Sequence, residues 1–284
     1  MKLVTFLTDS GDSHPGLLVQ GDVIDLHSSI ASRPRSLREV FDRDLLGEVA
    51  ELAARSAGEL IRSPRLLAPI PDPRKVIGIG LNYRDHAIES GMAIPTEPVV
   101  FGKFSSSIIG PAEAIELPAT SEEVDYEAEL VVVIGRRASR VSESQARAYV
   151  AGYTVGNDVS ARDWQLRKPG GQWILGKSFA TFAPIGPSIV TADEVQDPHS
   201  LSIELRLNGE TMQRSSTSEL IFRVDQLVSY LSHVFPLEPG DLIFTGTPSG
   251  VGFARKPPIF LQPGDVCEVE IESLGVLRNP CCAA

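Results

Sequence analysis

The stretch Asp125-Tyr-Glu-Ala-Glu-Leu-Val-Val-Val-Ile134 begins with acidic residues and continues into an apolar strand. Because alternate residues of a strand point to the same face, Glu127 and Glu129 are expected on the face that carries Val131 and Val133. Two neighbouring carboxylates at a partly buried position call for a cation, and oxygen ligands suit Mg²⁺, Mn²⁺ or Ca²⁺ better than zinc. The stretch therefore predicts a strand that begins at a metal site.

A third carboxylate strengthens this prediction. Asp158 follows a second short apolar strand where the chain turns polar, and Asp163 is the nearby alternative. The Glu-x-Glu pattern alone is weak evidence, since charged residues are mostly exposed. The same alternation in residues 268–272 is expected to be the solvated face of an edge strand.

Short apolar runs separated by Gly and Pro dominate the rest of the chain and predict strands. They lie at residues 3–26, 75–80, 129–135, 188–191, 201–207, 241–245 and 266–272. Two or three helical stretches are expected after residue 75, one near Ser142 to Ala151 and one near Arg223 to Phe235. Strands without regular helical interleaving favour a mixed or antiparallel sandwich or roll over a doubly wound sheet.

The first 70 residues predict a small N-terminal α+β domain. After the initial strands, apolar residues recur at helical spacing from Ser36 to Ile61, and prolines at 64, 69, 71 and 73 then interrupt the chain. We place the boundary there, which gives an N-terminal domain of residues 1–70 and a larger domain of residues 71–284.

The composition limits the kinds of partner that the protein is expected to bind. The 26 Lys and Arg against 37 Asp and Glu give a formal charge of −11, which disfavours binding to nucleic acid or to an anionic membrane. The apolar start at Met1 to Leu7 reaches Thr8-Asp9-Ser10 too soon for a signal peptide, and no run is long enough for a membrane span. We expect a cytoplasmic protein. The three cysteines form no C-x-x-C pair and are expected to be structural or incidental.

Three further segments are candidates for chemistry. A short helix after Asn82-Tyr83 would bring His86 and Glu89 together at i and i+3, so that the carboxylate orients the imidazole and the pair activates water. Residues 245–252 form a turn-rich loop that is able to present N–H groups and a hydroxyl to an anion. Residues 78–80 lack the third glycine of a dinucleotide-binding loop and a following βαβ pattern, and residues 171–178 match the P-loop pattern but lack the apolar strand that should precede it.

Taken together, these segments resemble the fumarylacetoacetate hydrolase family over roughly residues 75 to 278. The resemblance is carried by the order and spacing of five motifs: Asn82-Tyr-x-x-His86-x-x-Glu89, Asp125-Tyr-Glu127-Ala-Glu129, Asn157-Asp158-Val-Ser-Ala-Arg162-Asp-Trp-Gln165, Gly176-Lys177-Ser-Phe, and Thr245-Gly-Thr247-Pro-Ser-Gly.

The resemblance implies roles for individual residues. Glu127, Glu129 and Asp158 would hold one divalent metal, Mg²⁺ with Mn²⁺ or Ca²⁺ as alternatives, and Lys177 would form hydrogen bonds beside it. Arg162 and Gln165 would bind the carboxylate of a small substrate, and Thr247 would bind its other end. His86 and Glu89 would lie on a lid. Ala180 departs from the Asp of many relatives and is expected to alter the pocket.

The resemblance also implies a mainly β fold with some helix, a mixed β-sandwich roll with a small N-terminal α+β domain, and a homodimer. The expected activity is Mg²⁺-dependent hydrolysis of C–C bonds in 1,3-diketone or acylpyruvate-type 2-oxo acids. Alternatives within the family are an oxaloacetate keto–enol tautomerase or decarboxylase, a 2-hydroxyhepta-2,4-diene-1,7-dioate isomerase, and a lyase of the ureidoglycolate type. A metal-stabilised binding protein without catalysis is the alternative from another class.

Overall fold

The computed structural model describes residues 1–55, 58–89, 91 and 93–284. The strands are β1 (Lys2–Leu7), β2 (Ser13–Val19), β3 (Asp22–Asp25), β4 (Leu60–Ile61), β5 (Arg65–Leu67), β6 (Val76–Gly80), β7 (Val99–Lys103), β8 (Ile108–Ile109), β9 (Ile115–Leu117), β10 (Val124–Asp125), β11 (Ala128–Ile134), β12 (Val150–Asn157), β13 (Ser160–Ala161), β14 (Ala183–Thr191), β15 (Ser202–Leu207), β16 (Glu210–Ser216), β17 (Leu242–Phe244), β18 (Val266–Ile271) and β19 (Gly275–Ala283).

The helices are short. They are α1 (Leu26–Ser29), α2 (Leu37–Asp42), α3 (Leu46–Arg55), α4 (Arg84–Glu89), α5 (Glu143–Ala146), α6 (Arg162–Arg167), α7 (Trp173–Lys177) and α8 (Val224–Val234). Among the described residues, no helix has the length and apolar character needed to cross a membrane.

A large mixed sheet organises the chain. Its strands run in the order β4-β3-β2-β1-β14-β12-β11-β17-β6-β7, with β5 beside β1 and β8 beside β14. Most neighbours are antiparallel, but β17 pairs with β6 in parallel. Strand β11 lies between β12 and β17, and its Val-rich sequence is buried along its whole length. The strand therefore needs apolar partners on both faces.

Two hydrophobic clusters supply those partners. Leu130 and Val132 belong to the cluster that includes the five-stranded sheet β16-β15-β18-β19-β9 and helix α8. Val131 and Val133 belong to the cluster on the other face, which includes side chains of helices α2 and α3. Burial on two faces fixes the register of β11, because a slip of one residue would exchange its two sets of side chains.

The predicted fold class is confirmed, since the chain is mainly β, with some helix and several mixed sheets. Three details differ from the sequence predictions. Five helices, α4 to α8, follow residue 75 in the described chain instead of two or three, and α5 ends at Ala146 because the chain enters β12 at Val150. Strand β18, which carries Glu268 and Glu270, is not an edge strand, because β15 and β19 flank it. Arg206 and Arg278 pair with its carboxylates.

The N-terminal helical pattern from Ser36 to Ile61 is also corrected. It divides into α2 and α3, with Asp44 between them in the left-handed region at φ 53°, and Leu60–Ile61 forms a strand that pairs with β3. Residues 56 and 57 of the predicted stretch lie outside the described residues. Strand β1 pairs with β14, so the N-terminal region shares a sheet and a core with the rest of the chain. The domain boundary near residue 70 stays a prediction.

Candidate active site

The three predicted metal ligands lie together at one end of the paired strands β11 and β12. Glu127 directly precedes β11, Glu129 is its second residue, and Asp158 directly follows β12. The antiparallel register places Ala128 opposite Asn157, and the Asp158 N–H donates to the Glu127 carbonyl at 2.9 Å. Carboxylate oxygens from the three side chains lie within 4.8 Å of one another, and all three residues are buried. Strand pairing thus creates the cluster from residues that are distant in sequence.

Three buried cations balance two of these carboxylates. Lys177 Nζ donates to Glu127 Oε2 at 2.7 Å and to Asp158 Oδ2 at 2.8 Å. Lys103 Nζ pairs with Asp158 Oδ1, and Arg162 Nη2 lies 2.7 Å from Glu127 Oε1. In the described chain no Lys or Arg pairs with Glu129, whose Oε2 accepts from the Gly246 N–H at 2.7 Å. Negative charge therefore remains uncompensated at Glu129.

The pKa values of Glu127 and Glu129 differ because the charges around the two carboxylates differ. Burial raises the pKa of Glu127, but the opposing charges of Lys177 and Arg162 outweigh burial and hold it at about 2. Burial also raises the pKa of Glu129, and the negative charges of Asp158 and Glu127 raise it further. Burial lowers the pKa of Lys177, but the two carboxylates that it contacts raise it above its usual value.

These residues fit a divalent cation. They offer at least three carboxylate oxygens, which are the ligands of Mg²⁺, Mn²⁺ and Ca²⁺. The unpaired and buried Glu129 is the carboxylate that gains most from a positive ion. Glu127, Glu129 and Asp158 are therefore the residues that would hold it.

Arg162 is held by two carboxylates and one side-chain amide. Its Nε and Nη2 contact Asp125 Oδ2 at 2.9 and 2.8 Å, and its Nη1 donates to Gln165 Oε1 at 3.0 Å. Asp125 also accepts from the Gly252 N–H at 2.8 Å. The Gln165 amide oxygen is thus occupied, and its N–H₂ group is left to donate into the cavity that the residue lines. Arg162 orients both Gln165 and Glu127.

Helix α4 carries His86 and Glu89 over the carboxylates. The His86 Nδ1 atom lies 3.3 Å from Glu89 Oε2. Glu89 also accepts from the Gly250 N–H at 3.0 and 3.1 Å, and Asp85 Oδ2 accepts from the Ser215 hydroxyl at 2.7 Å. The predicted pairing at i and i+3 is present, and α4 is fastened to the loop at residues 245–252.

Thr247 reaches the site from that loop. Its side chain is buried and lines the same cavity as Glu127 and Glu129. The Thr247 Oγ1 atom accepts a hydrogen bond from Gln213 Nε2 at 2.8 Å.

Two neighbouring cavities that share lining residues form the site. The inner one, of about 50 Å³, lies against Glu127, Glu129, Lys177 and Thr247. The outer one, of about 300 Å³, is open at the surface. The residues that line both are Leu81, His86, Arg162, Gln165 and Trp173. One end of a small acid would occupy the inner cavity and the rest would lie beside His86, while a longer substrate would extend further into the outer cavity.

Sequence reasoning missed two residues of the site. Lys103 ends β7, in a segment for which no strand was predicted, and Gln213 lies on β16, far from every motif. Neither has a local signal, because each reaches the site through tertiary packing alone. Ala180 is exposed and lines neither of the two cavities described above, so the pocket change expected there is not seen.

Comparison with known sequences identifies close relatives. Residues 75–281 match the family model described as fumarylacetoacetate (FAA) hydrolase C-terminal. The chain is 52% identical over 295 residues to the fumarylacetoacetate hydrolase domain-containing protein 2 homolog of Dictyostelium discoideum, covering 98% of this chain and 96% of that protein. It is 47% identical over 289 residues to a mitochondrial oxaloacetate tautomerase of Xenopus laevis, covering 99% and 90%.

Solved structures share the whole fold. A fumarylacetoacetate hydrolase from psychrophilic Exiguobacterium antarcticum is 38% identical with a TM-score of 0.87, and 100% of each chain is covered. A maleylpyruvate hydrolase from Sphingobium sp. SYK-6, in complex with manganese(II) ion and pyruvate, is 29% identical with a TM-score of 0.82, again with 100% of each chain covered.

Proposed function

Since the chain belongs to the fumarylacetoacetate hydrolase family, we propose that it is a divalent-metal-dependent enzyme that interconverts the enol and keto forms of oxaloacetate. The observation that carries the proposal is the His86–Glu89 pair beside a carboxylate cluster in a cavity of about 50 Å³. The tautomerase name of the relative that is 47% identical supports the same reaction.

The metal in this proposal is Mg²⁺, with Mn²⁺ and Ca²⁺ as alternatives, held by Glu127, Glu129 and Asp158. When bound, it supplies positive charge that stabilises negative charge developing on a substrate oxygen. Lys177 adds a second buried positive charge beside it. The Gln165 N–H₂ group, with Arg162 behind it, orients the substrate carboxylate.

His86 moves the proton. A carboxylate is only an acceptor when ionised, so the Glu89 contact assigns the proton to His86 Nδ1 and leaves Nε2 as the basic atom. The enol hydroxyl gives its proton to Nε2, and carbon 3 gains a proton from the imidazolium or from water. No further reactant is needed, because the two forms differ only in the position of one proton.

Hydrolysis of a C–C bond in an acylpyruvate is the second candidate. The outer cavity of about 300 Å³ supports it, because an acyl group attached to a pyruvate head has space there. In that reaction His86 and Glu89 activate water, which adds to the remote carbonyl. The C–C bond then breaks, giving pyruvate and a carboxylic acid. The relative named as a maleylpyruvate hydrolase supports this candidate.

Product analysis separates the two candidates. Enol-oxaloacetate, oxaloacetate, acetylpyruvate and fumarylpyruvate are each followed by ultraviolet absorbance with Mg²⁺ and again with EDTA, and the products are separated by chromatography. Tautomerisation predicts EDTA-sensitive decay of the enol with oxaloacetate as the product. Formation of two acids from a diketone would favour the hydrolase, and no metal-dependent change with any compound would favour a binding protein.

Replacing His86 by Asn removes the proton-transfer atom and is expected to lower turnover about 100-fold. Affinity for Mn²⁺ should stay within a factor of two or so of the wild-type value, because the three carboxylates are unchanged. Titration calorimetry with Mn²⁺ and the enol-decay assay measure these two quantities. His233→Asn on α8 is the matched control and should leave both unchanged. Loss of Mn²⁺ binding in His86→Asn would contradict the proton-transfer role.

We propose a small carboxylate as the only class of substrate, and a homodimer as the assembly. The formal charge of −11 supports the absence of a nucleic-acid partner. A cytoplasmic location stays a prediction from the sequence, and the Xenopus laevis relative is named as mitochondrial.

A further inference from the structure

Gln213 joins two parts of the site. It lies on β16 with 1% of its surface exposed. Its Oε1 accepts from the Ala128 N–H at 2.8 Å, and its Nε2 donates to Thr247 Oγ1 at 2.8 Å and to the Pro248 carbonyl at 2.9 Å. Ala128 is the residue between the ligands Glu127 and Glu129. A single side chain therefore connects the metal-binding strand with the loop that carries Thr247.

The orientation of this amide is fixed by its neighbours. A backbone N–H only donates and a carbonyl only accepts, so Oε1 must face Ala128 and Nε2 must face Pro248. The second hydrogen of Nε2 then goes to Thr247 Oγ1. If the amide were reversed, its N–H₂ group would face the Ala128 N–H, which is also a donor, and its oxygen would face the Pro248 carbonyl, which is also an acceptor. The Gln213 amide consequently has no freedom to change its role.

This arrangement determines what Thr247 does. Its oxygen already accepts from Gln213, and its own hydrogen has no acceptor among the described residues, while the side chain lines the inner cavity. We infer that Gln213 is a positioning residue that makes the Thr247 hydroxyl a hydrogen-bond donor to a substrate oxygen. The inference rests on the proposed function, since it concerns the same substrate.

A further consequence is selectivity. A hydroxyl whose hydrogen is free and one of whose two lone pairs is occupied favours a carboxylate or carbonyl oxygen at that end of the substrate over a group that itself only donates, such as an ammonium. The Thr247 end of the substrate therefore carries an oxygen acceptor.

A double-mutant cycle tests the coupling between the two residues. Gln213→Met removes the amide with little change in length, and Thr247→Val removes the hydroxyl with little change in shape. The kcat/KM for enol-oxaloacetate, which has a carboxylate at each end, is measured in the presence of saturating Mn²⁺. Each single variant is expected to lower this kcat/KM about tenfold, and the double variant no further, because both changes remove the same donor. Thr247→Ser keeps the hydroxyl and should retain most of the wild-type value.

The outcomes separate this inference from the proposed function. Failure of the wild-type protein to turn over enol-oxaloacetate would refute both. Wild-type turnover with additive losses in the double variant would refute the inference alone, as would a Gln213→Met variant whose only defect is weaker Mn²⁺ binding in parallel with a lower Tm. If Gln213→Met does not fold, Gln213→Asn replaces it, because a side chain one methylene shorter cannot reach both Ala128 and Thr247. The same non-additivity with Thr247→Val is then expected.

Discussion

Replacing Glu129 by Gln is expected to abolish binding of the divalent cation, to lower turnover about 1,000-fold, and to stabilise the metal-free protein. The variant keeps an oxygen that accepts the Gly246 N–H and breaks no ion pair, because no Lys or Arg in the described chain pairs with Glu129. It removes one negative ligand and nothing else. Glu127 would be a less clean choice, since its loss removes one of the two carboxylate partners of Lys177 and one of the two carboxylate partners of Arg162.

The sign of the stability change follows from the pKa of Glu129, which burial and the adjacent Asp158 and Glu127 raise in the folded protein. A carboxyl whose pKa is higher in the folded state than in the unfolded state destabilises the fold at pH values above its unfolded pKa. At neutral pH this cost is present, and it disappears as the pH falls below the unfolded pKa. Gln carries no charge, so the metal-free variant should unfold at a Tm a few degrees above that of the wild type.

Titration calorimetry with Mn²⁺ and thermal unfolding in EDTA measure the two effects. Glu270→Gln is the matched control, because it changes the same residue type in a Glu-x-Glu pattern on an exposed strand face. It should bind Mn²⁺ as the wild type does. A Glu129→Gln variant with full metal-dependent turnover would contradict the ligand assignment, and a lower Tm in EDTA would contradict the electrostatic account.

Replacing Lys177 by Met is expected to lower turnover about 100- to 1,000-fold while metal binding is retained or strengthened. The Lys177 ammonium is buried between Glu127 and Asp158 and competes with a bound cation for their charge. Its removal makes the carboxylates more negative but takes away a positive charge from the reacting end of the cavity. The fold should persist, because Glu127 retains Arg162 and Asp158 retains Lys103.

Steady-state kinetics and Mn²⁺ calorimetry on the same preparation test this separation. Lys256→Met removes an exposed lysine and is expected to change neither quantity. If Lys177→Met lost Mn²⁺ affinity and turnover together, Lys177 would be needed to build the metal site, and its separate contribution to turnover would be refuted.

Sequence patterns located the carboxylates because their signals are local. Glu127 and Glu129 stand at the start of a buried strand, Asp158 stands at the end of its neighbour, and antiparallel pairing brings the two ends together. The alternation of Leu130, Val131 and Val132 between two cores also follows from the strand period alone. The mainly β fold class followed from the same short apolar runs.

Other features had no local signal. Lys103 and Gln213 reach the site from strands whose sequences contain no motif. Helices α6 and α7 have six and five residues, too few for a helical period to be recognised. The Glu-x-Glu pattern at Glu268 was misplaced at a sheet edge because alternating acidic residues look the same on an edge strand and on an inner strand with one solvated face. Pairing with a strand on each side decides between these cases, and one of the two partners, β15, is distant in sequence.

The most direct test of the account is reactivation of metal-stripped protein. Wild-type protein treated with EDTA and desalted is titrated with Mg²⁺ or Mn²⁺ while enol-oxaloacetate decay is followed, and metal affinity is measured separately by calorimetry. We expect no turnover without metal, recovery of turnover on addition, and a half-maximal concentration equal to the calorimetric Kd. Turnover that persists after complete metal removal, or that recovers equally in Glu129→Gln, would refute metal dependence through this carboxylate cluster.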